Sequence, residues 1–83
     1  MINSAPSLWQ MSRGKSCVVT GFDESIRANI RMRLEELGFH KGAVVTCSMA
    51  PSLGAPKLYQ VANSVYSLEQ PLAELVQIQS LHA

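Results

Sequence analysis

RLEELGFHKG, Arg33 through Gly42, decides the fold, because it holds the last turns of a helix, a stop, and the launch of a strand. Upstream, Ile26 and Ile30 lead into Leu34 and Leu37 at steps of four, four and three residues, which places these apolar side chains on one side of a helix. That row is the expected buried face. Gly38 falls where a left-handed residue is wanted just past the helix end, since a residue without a Cβ takes positive φ at no steric cost. Phe39 can then fold back onto Leu34, the apolar contact that accompanies a Schellman-type cap. The helix is expected to end at Leu37, and Gly42 to open a β-rich run.

Working outward, the strand after Gly42 spans Ala43 to Met49, and its alternation puts Val45, Cys47 and Met49 on the core face. Residues 50–56, APSLGAP, contain Pro51, Gly54 and Pro56 and cannot continue a ladder, so they form a loop. Leu58–Val61 and Ser64–Leu68 read as a hairpin joined by Ala62 and Asn63, asparagine being tolerant of the left-handed conformation that a two-residue turn demands. Gln70 and Pro71 introduce a helical turn over Leu72–Glu74, followed by a last strand, Leu75–Gln79. On the N-terminal side, Lys15–Gly21 is a β-branched first strand ended by glycine, and Asp23 or Ser25 is placed to cap the helix. Leu8, Trp9 and Met11 suggest an apolar plug across one end of the fold. The ends, 1–7 and 80–83, are expected to be loose. Five short strands cannot bury both faces as an open sheet, whereas closing them into a small barrel removes the exposed edges.

Composition narrows the function. An 83-residue chain has room for a single domain, and by surface scaling such a chain buries about 60% of its unfolded surface. The net charge of +1 gives no field to draw a phosphate backbone, so a nucleic-acid reader is not expected. No apolar run approaches the ~20 residues of a membrane helix, and the first residues do not have the pattern of a leader, so the expected location is the cytoplasm. Cys17 and Cys47 lie far apart in strands without a CxxC spacing and read as reduced thiols.

Reactive groups do not converge. His40 sits in the helix-to-strand connection and His82 beside the C-terminus; neither has a nucleophile or acid at a catalytic spacing, so no catalytic residues are assigned. Neither histidine nor cysteine has a ligand partner at i+2 or i+4, so no metal ligands and no cofactor are assigned. Gly14, Lys15 and Ser16 mimic the end of a phosphate loop, but position 9 is Trp9 and no helix follows. On the helix, Glu24, Arg27, Arg31, Glu35 and Glu36 lie away from the apolar row, with Arg31 and Glu35 spaced as an i, i+4 pair.

The order of these elements resembles the ferrous iron transport protein A (FeoA) family over residues 8–79, on Arg33, Leu34, Leu37, Gly38 and Gly42, on Ala50, Pro51, Gly54 and Pro56, and on Val65–Leu68 followed by Leu72–Val76. The resemblance implies a mainly β fold with one helix, an SH3-like barrel of about five strands. It also implies a non-enzymatic accessory that docks on the cytoplasmic, GTPase-bearing portion of a ferrous iron membrane transporter, recruited to the inner face of the membrane without inserting. Arg33 matches the arginine found before the helix-ending leucines, where its stem can cover core edge while its guanidinium holds the barrel or a partner. Ala55 and Glu69 depart from the family, which commonly has an acidic residue at the first place and a basic one at the second.

Contact material for a partner would come from apolar and aromatic residues that a small barrel cannot hide: Leu53, Leu58, Tyr59 and Tyr66, with Arg31 and Lys41 at the rim. Tyr59 and Tyr66 also read as cross-strand packing partners. The apolar surplus allows weak self-association. Two further readings stay open: a metal-responsive module akin to the C-terminal SH3-like domain of iron-dependent repressors, and an activator of the transporter's GTPase through Arg27, Arg31 or Arg33.

Overall fold

The structure, a computed structural model, describes residues 6–81. His82 and most of the N-terminal end expected to be loose lie outside the described residues. A 3-10 turn at Leu8–Gln10 precedes β1 (Ser16–Phe22), α1 (Ala28–Leu37), β2 (Val44–Met49), β3 (Lys57–Val61), β4 (Ser64–Leu68), α2 (Gln70–Ala73) and β5 (Val76–Ser80). All pairings are antiparallel, and the sheet runs β4-β3-β2-β1-β5.

The helix stop forms as its residues dictate. Gly38 has φ 118°, its N–H donates to the Glu35 carbonyl at 3.1 Å, and the Phe39 N–H donates to the Leu34 carbonyl at 2.9 Å. These are the paired bonds of a Schellman motif. Leu34 and Phe39 are both buried in the core cluster, together with Val19, Val45, Tyr59 and Val76. The β3–β4 turn is equally direct: Ala62 and Asn63 have φ 52° and 68°, the signature of a type I′ hairpin.

The apolar plug is present. Leu8 is fully buried and Met11 nearly so, while Trp9 is half-buried with the Lys57 ammonium 4.7 Å from its ring centroid. Lys57 Nζ also donates to the carbonyls of Trp9 and Met11, and the Tyr59 hydroxyl donates to the Leu8 carbonyl at 2.8 Å. Two residues of β3 therefore fasten the N-terminal turn to the sheet.

Several expectations are corrected. Met49 is not a core residue but is 48% exposed. The β2–β3 register shifts between Cys47 and Met49, and this bulge turns the strand's end outward. Neither Asp23 nor Ser25 caps α1, which starts from Arg27 in an extended conformation; Asp23 instead accepts from the Ser25 N–H at 3.0 Å in a local turn. The expected apolar row is only partly realised: Ile26 lies before α1, in the turn closed by its N–H on the Asp23 carbonyl, and of the helical members Leu34 reaches the core whereas Ile30 and Leu37 stay half-exposed. Ser7 and Ser80 are not loose. Ser7 bridges Gln77, the Ile78 N–H donates to the Pro6 carbonyl at 2.9 Å, and Ser80 lies opposite Cys17 in the β1–β5 ladder.

The sheet also differs from the expected closed cylinder while keeping the mainly β, one-helix class. Among the described residues β4 and β5 do not pair, so the hydrogen-bond ladder is open between them. The outer edge of β5 is taken up by Pro6 and Ser7. The side of β4 faces α1 instead.

Candidate docking surface

α1 and β4 meet without sealing the space between them. Ile30, Leu34 and Leu37 line one wall of a groove of about 290 Å³, and Tyr66, Leu68 and the α2 residue Leu72 line another. The helical spacing that made Ile30 and Leu37 look buried thus places them along a cleft. Ser67 adds a hydroxyl to the lining and Arg33 its one charged side chain. Arg33 is exposed, and among the described residues its guanidinium has no ion pair.

The residues expected to contact a partner do not form one patch. Tyr66 is half-buried in the groove wall, its ring centroid 5.8 Å from that of Phe39 at an interplanar angle of 58°. Tyr59 lies directly opposite Tyr66 in the β3–β4 register but is fully buried. Tyr59 is therefore a core residue and not surface, because its even-numbered offset from Val61 puts both on the inner face of β3. Burial pushes its hydroxyl pKa up, in keeping with an O–H held on the Leu8 carbonyl. Leu58 is half-buried on the opposite face of β3. Leu53 stands fully exposed at the tip of the loop with φ 64°, next to Gly54 at φ 75°.

Arg31 and Lys41 sit at a different place, in a polar cleft shared with Phe22 and Glu35. Arg31 Nε lies 3.7 Å from Glu35 Oε2, as the i, i+4 spacing predicts, and its guanidinium is 5.9 Å from the Phe22 ring centroid. Both partners of that pair are substantially exposed, so it contributes little stability. Of the expected contact set, Arg31 and Lys41 share this polar cleft, whereas Tyr66 alone reaches the apolar groove, where it meets Arg33. Ile30, Ser67 and Leu72 were not expected in a surface at all; Ile30 and Leu72 stand out in the sequence only as apolar positions of helical segments, and nothing marks Ser67.

Among the described residues no three His, Cys, Asp or Glu side chains gather around a point. His40 is exposed, with Nδ1 3.1 Å from the Lys41 carbonyl oxygen. Cys17 and Cys47 are buried free thiols, and Cys17 Sγ donates to Met11 Sδ at 3.4 Å. Burial pushes the Cys17 thiol pKa up to about 11 and raises that of Cys47. Both features favour the protonated form, which is a poor metal ligand. No helix among the described residues is long and apolar enough to cross a membrane.

A five-stranded antiparallel sheet with one helix between its first two strands and an apolar groove beside that helix defines a small SH3-like module. The family model described as the FeoA domain matches residues 7–80, and the chain belongs to the FeoA family. Among solved structures, FeoA of Stenotrophomonas maltophilia, a prokaryotic SH3 domain protein complexed with zinc, is 31% identical. It covers 90% of this chain and 91% of its own, with a TM-score of 0.79. A FeoA-like protein from Clostridium acetobutylicum superimposes with a TM-score of 0.81 at 15% identity, over 99% of this chain and 93% of its own. A manganese-dependent transcriptional repressor in complex with manganese shares the fold at a TM-score of 0.81 and 13% identity, over 98% of this chain but 39% of its own. None of the curated proteins matches the chain.

Proposed function

We propose that this chain is a non-enzymatic accessory of ferrous iron uptake that docks on the cytoplasmic, GTPase-bearing part of a ferrous iron membrane transporter. The reading is supported above all by membership of the FeoA family across residues 7–80. It is further supported by what the surface offers: an apolar groove with one cation at its rim, Arg33, which has no ion pair among the described residues, a composition suited to holding another protein. The protein works in the cytoplasm and reaches the membrane through its partner.

The likeness to a manganese-dependent repressor, at 13% identity, speaks for the fold alone. A metal-responsive module would need ligands, and the two buried thiols with raised pKa values fit that role poorly. Stimulation of the partner's GTPase would fall to Arg33 rather than Arg31, since Arg31 is engaged by Glu35 and Phe22. Isothermal titration of the folded protein with the transporter's cytoplasmic fragment tests the docking. Saturable binding is expected; no heat with any cytoplasmic fragment of such a transporter would refute it.

A further inference from the structure

The strand that borders the groove has a free edge. The two-residue turn at Ala62–Asn63 makes Val61 and Ser64 a hydrogen-bonded pair. Alternation then makes Tyr59–Tyr66 and Lys57–Leu68 hydrogen-bonded pairs, and leaves Val65 and Ser67, opposite Gln60 and Leu58, in non-hydrogen-bonded ones. The backbone N–H and C=O groups of Val65 and Ser67 therefore point away from β3. β4 is terminal in the strand order, and among the described residues no backbone hydrogen bond from outside β3 reaches it. The opposite edge is not equivalent, because β5 is met by Pro6 and Ser7.

An unprotected edge of this kind recruits extended chain. Here it comes with two means of selection. The groove between β4 and α1 is lined by aliphatic and aromatic side chains, and its one charged residue is Arg33, for which no acidic side chain of the described residues provides a counter-charge. A segment lying along β4 would present every second side chain to this groove.

We propose that β4 and α1 together take up an extended, acidic-apolar segment of a partner protein as a sixth strand, one apolar side chain entering the groove and a carboxylate two residues away meeting Arg33. This rests on the docking reading above and names its site and the chemistry of the bound segment. The outward N–H and C=O groups of Val65 and Ser67 supply the backbone bonds. Ser67 is a discriminating position: its N–H faces away from β3, so proline there removes an edge donor without removing a β3–β4 bond.

The probe is a set of fluorescein-labelled heptapeptides with threonine and valine flanks, in which one position scans Leu, Ile, Phe and Ser and the position two residues on scans Glu, Gln and Lys. Binding is read by anisotropy, and the site by backbone amide shifts of the ¹⁵N-labelled protein. Peptides with an apolar residue and Glu should bind, shifting Arg33, Leu37 and residues 65–68. Replacing Glu by Gln should weaken them about twofold to fivefold, the range of an exposed ion pair, and Arg33→Gln should erase that preference. N-methylation of the alternate peptide amides that face β4 should abolish binding, while methylation of the other set should leave it within about twofold, since an added strand bonds through every second residue. This arm leaves the protein unaltered, so it stands even if Ser67→Pro fails to fold. The proposal is overturned if no peptide binds at millimolar concentration, if Lys outranks Glu, if both N-methyl series bind alike, or if the shifts map elsewhere. Shifts of β4 with protein concentration alone would make the occupant a second copy and overturn it too. Transporter fragment that binds folded Ser67→Pro as tightly as wild type would remove the groove while leaving docking intact; peptides that bind where the fragment does not would do the reverse.

Discussion

Gly38→Ala tests the stop on which the chain order depends. At φ 118° an added Cβ is strained, by about 1–2 kcal/mol for an L-residue in left-handed backbone. Alanine recovers about 0.4–1 kcal/mol by restricting the unfolded chain. The backbone part is then a net cost of about 1 kcal/mol. The new methyl would lie 3.2 Å from the Ala62 Cβ, with the Val61 methyls behind at 3.5 and 3.6 Å. The first distance is inside the optimum of about 3.5–4.0 Å for a carbon pair, and because Ala62 stands on an exposed turn the overpacking falls in the lower part of its range, about 1–2 kcal/mol. Gly38→Ala should therefore destabilise by about 2–3 kcal/mol, a drop in Tm of about 8–24 °C for a domain of this size. Ala62→Gly removes the atom that is struck. It also relieves a φ of 52°, so alone it should cost little or stabilise slightly. In that background Gly38→Ala should cost only the backbone part, leaving a coupling of about 1–2 kcal/mol between positions 38 and 62. Urea denaturation of the four proteins measures this directly, with m unchanged if the native state keeps its form. A coupling below about 0.3 kcal/mol, or a neutral Gly38→Ala, would refute the close approach of the helix end to the β3–β4 turn.

Two further outcomes concern the core. Tyr59→Phe removes the donor from the buried Leu8 carbonyl and should cost about 1–3 kcal/mol; a thermal midpoint within error of wild type would show that the hydroxyl does not fasten the N-terminal turn. The buried thiols set an alkaline limit: the Cys17 pKa rises from 9.0 to about 11, and those of Cys47 and Tyr59 are also raised by burial. The folded chain thus keeps protons that the unfolded chain has lost, so stability should be full below pH 9 and fall as pH climbs through 11. Urea midpoints at pH 8 and 10.5 should show the loss and Cys17→Ala should reduce it, whereas a midpoint that rises with pH contradicts it.

Much of this fold was readable because local chemistry and tertiary packing agree at the positions that matter. Gly38 and Phe39 act within a single helix end, and Asn63 within a single turn, so nothing distant can override them. Met49 was misread because a bulge depends on how β2 meets β3, and alternation within one strand carries no trace of it. Tyr59 is open in the sequence between a contact surface and cross-strand packing with Tyr66, and the structure selects the second. Its ring suits either an interface or a core, and the deciding fact is the Leu8 carbonyl, 51 positions away in sequence. The hold of Lys57 on Trp9 and Met11 and the pairing of Ser7 with Gln77 are likewise contacts between distant segments. Of the candidate site, Arg33 and Tyr66 were legible one at a time. Their meeting was not, because it follows from β4 and β5 remaining apart, and counting strands favoured closure.

Docking through the α1–β4 face is tested most directly by recording amide spectra of the ¹⁵N-labelled protein as unlabelled cytoplasmic fragment of the ferrous iron transporter is added. Saturable changes concentrated at Arg33, Leu37 and residues 65–68, with Leu53 and Lys41 undisturbed, are the predicted result. Spectra that stay unchanged at fragment excess, or changes gathered on the Arg31–Lys41 cleft instead, would contradict it.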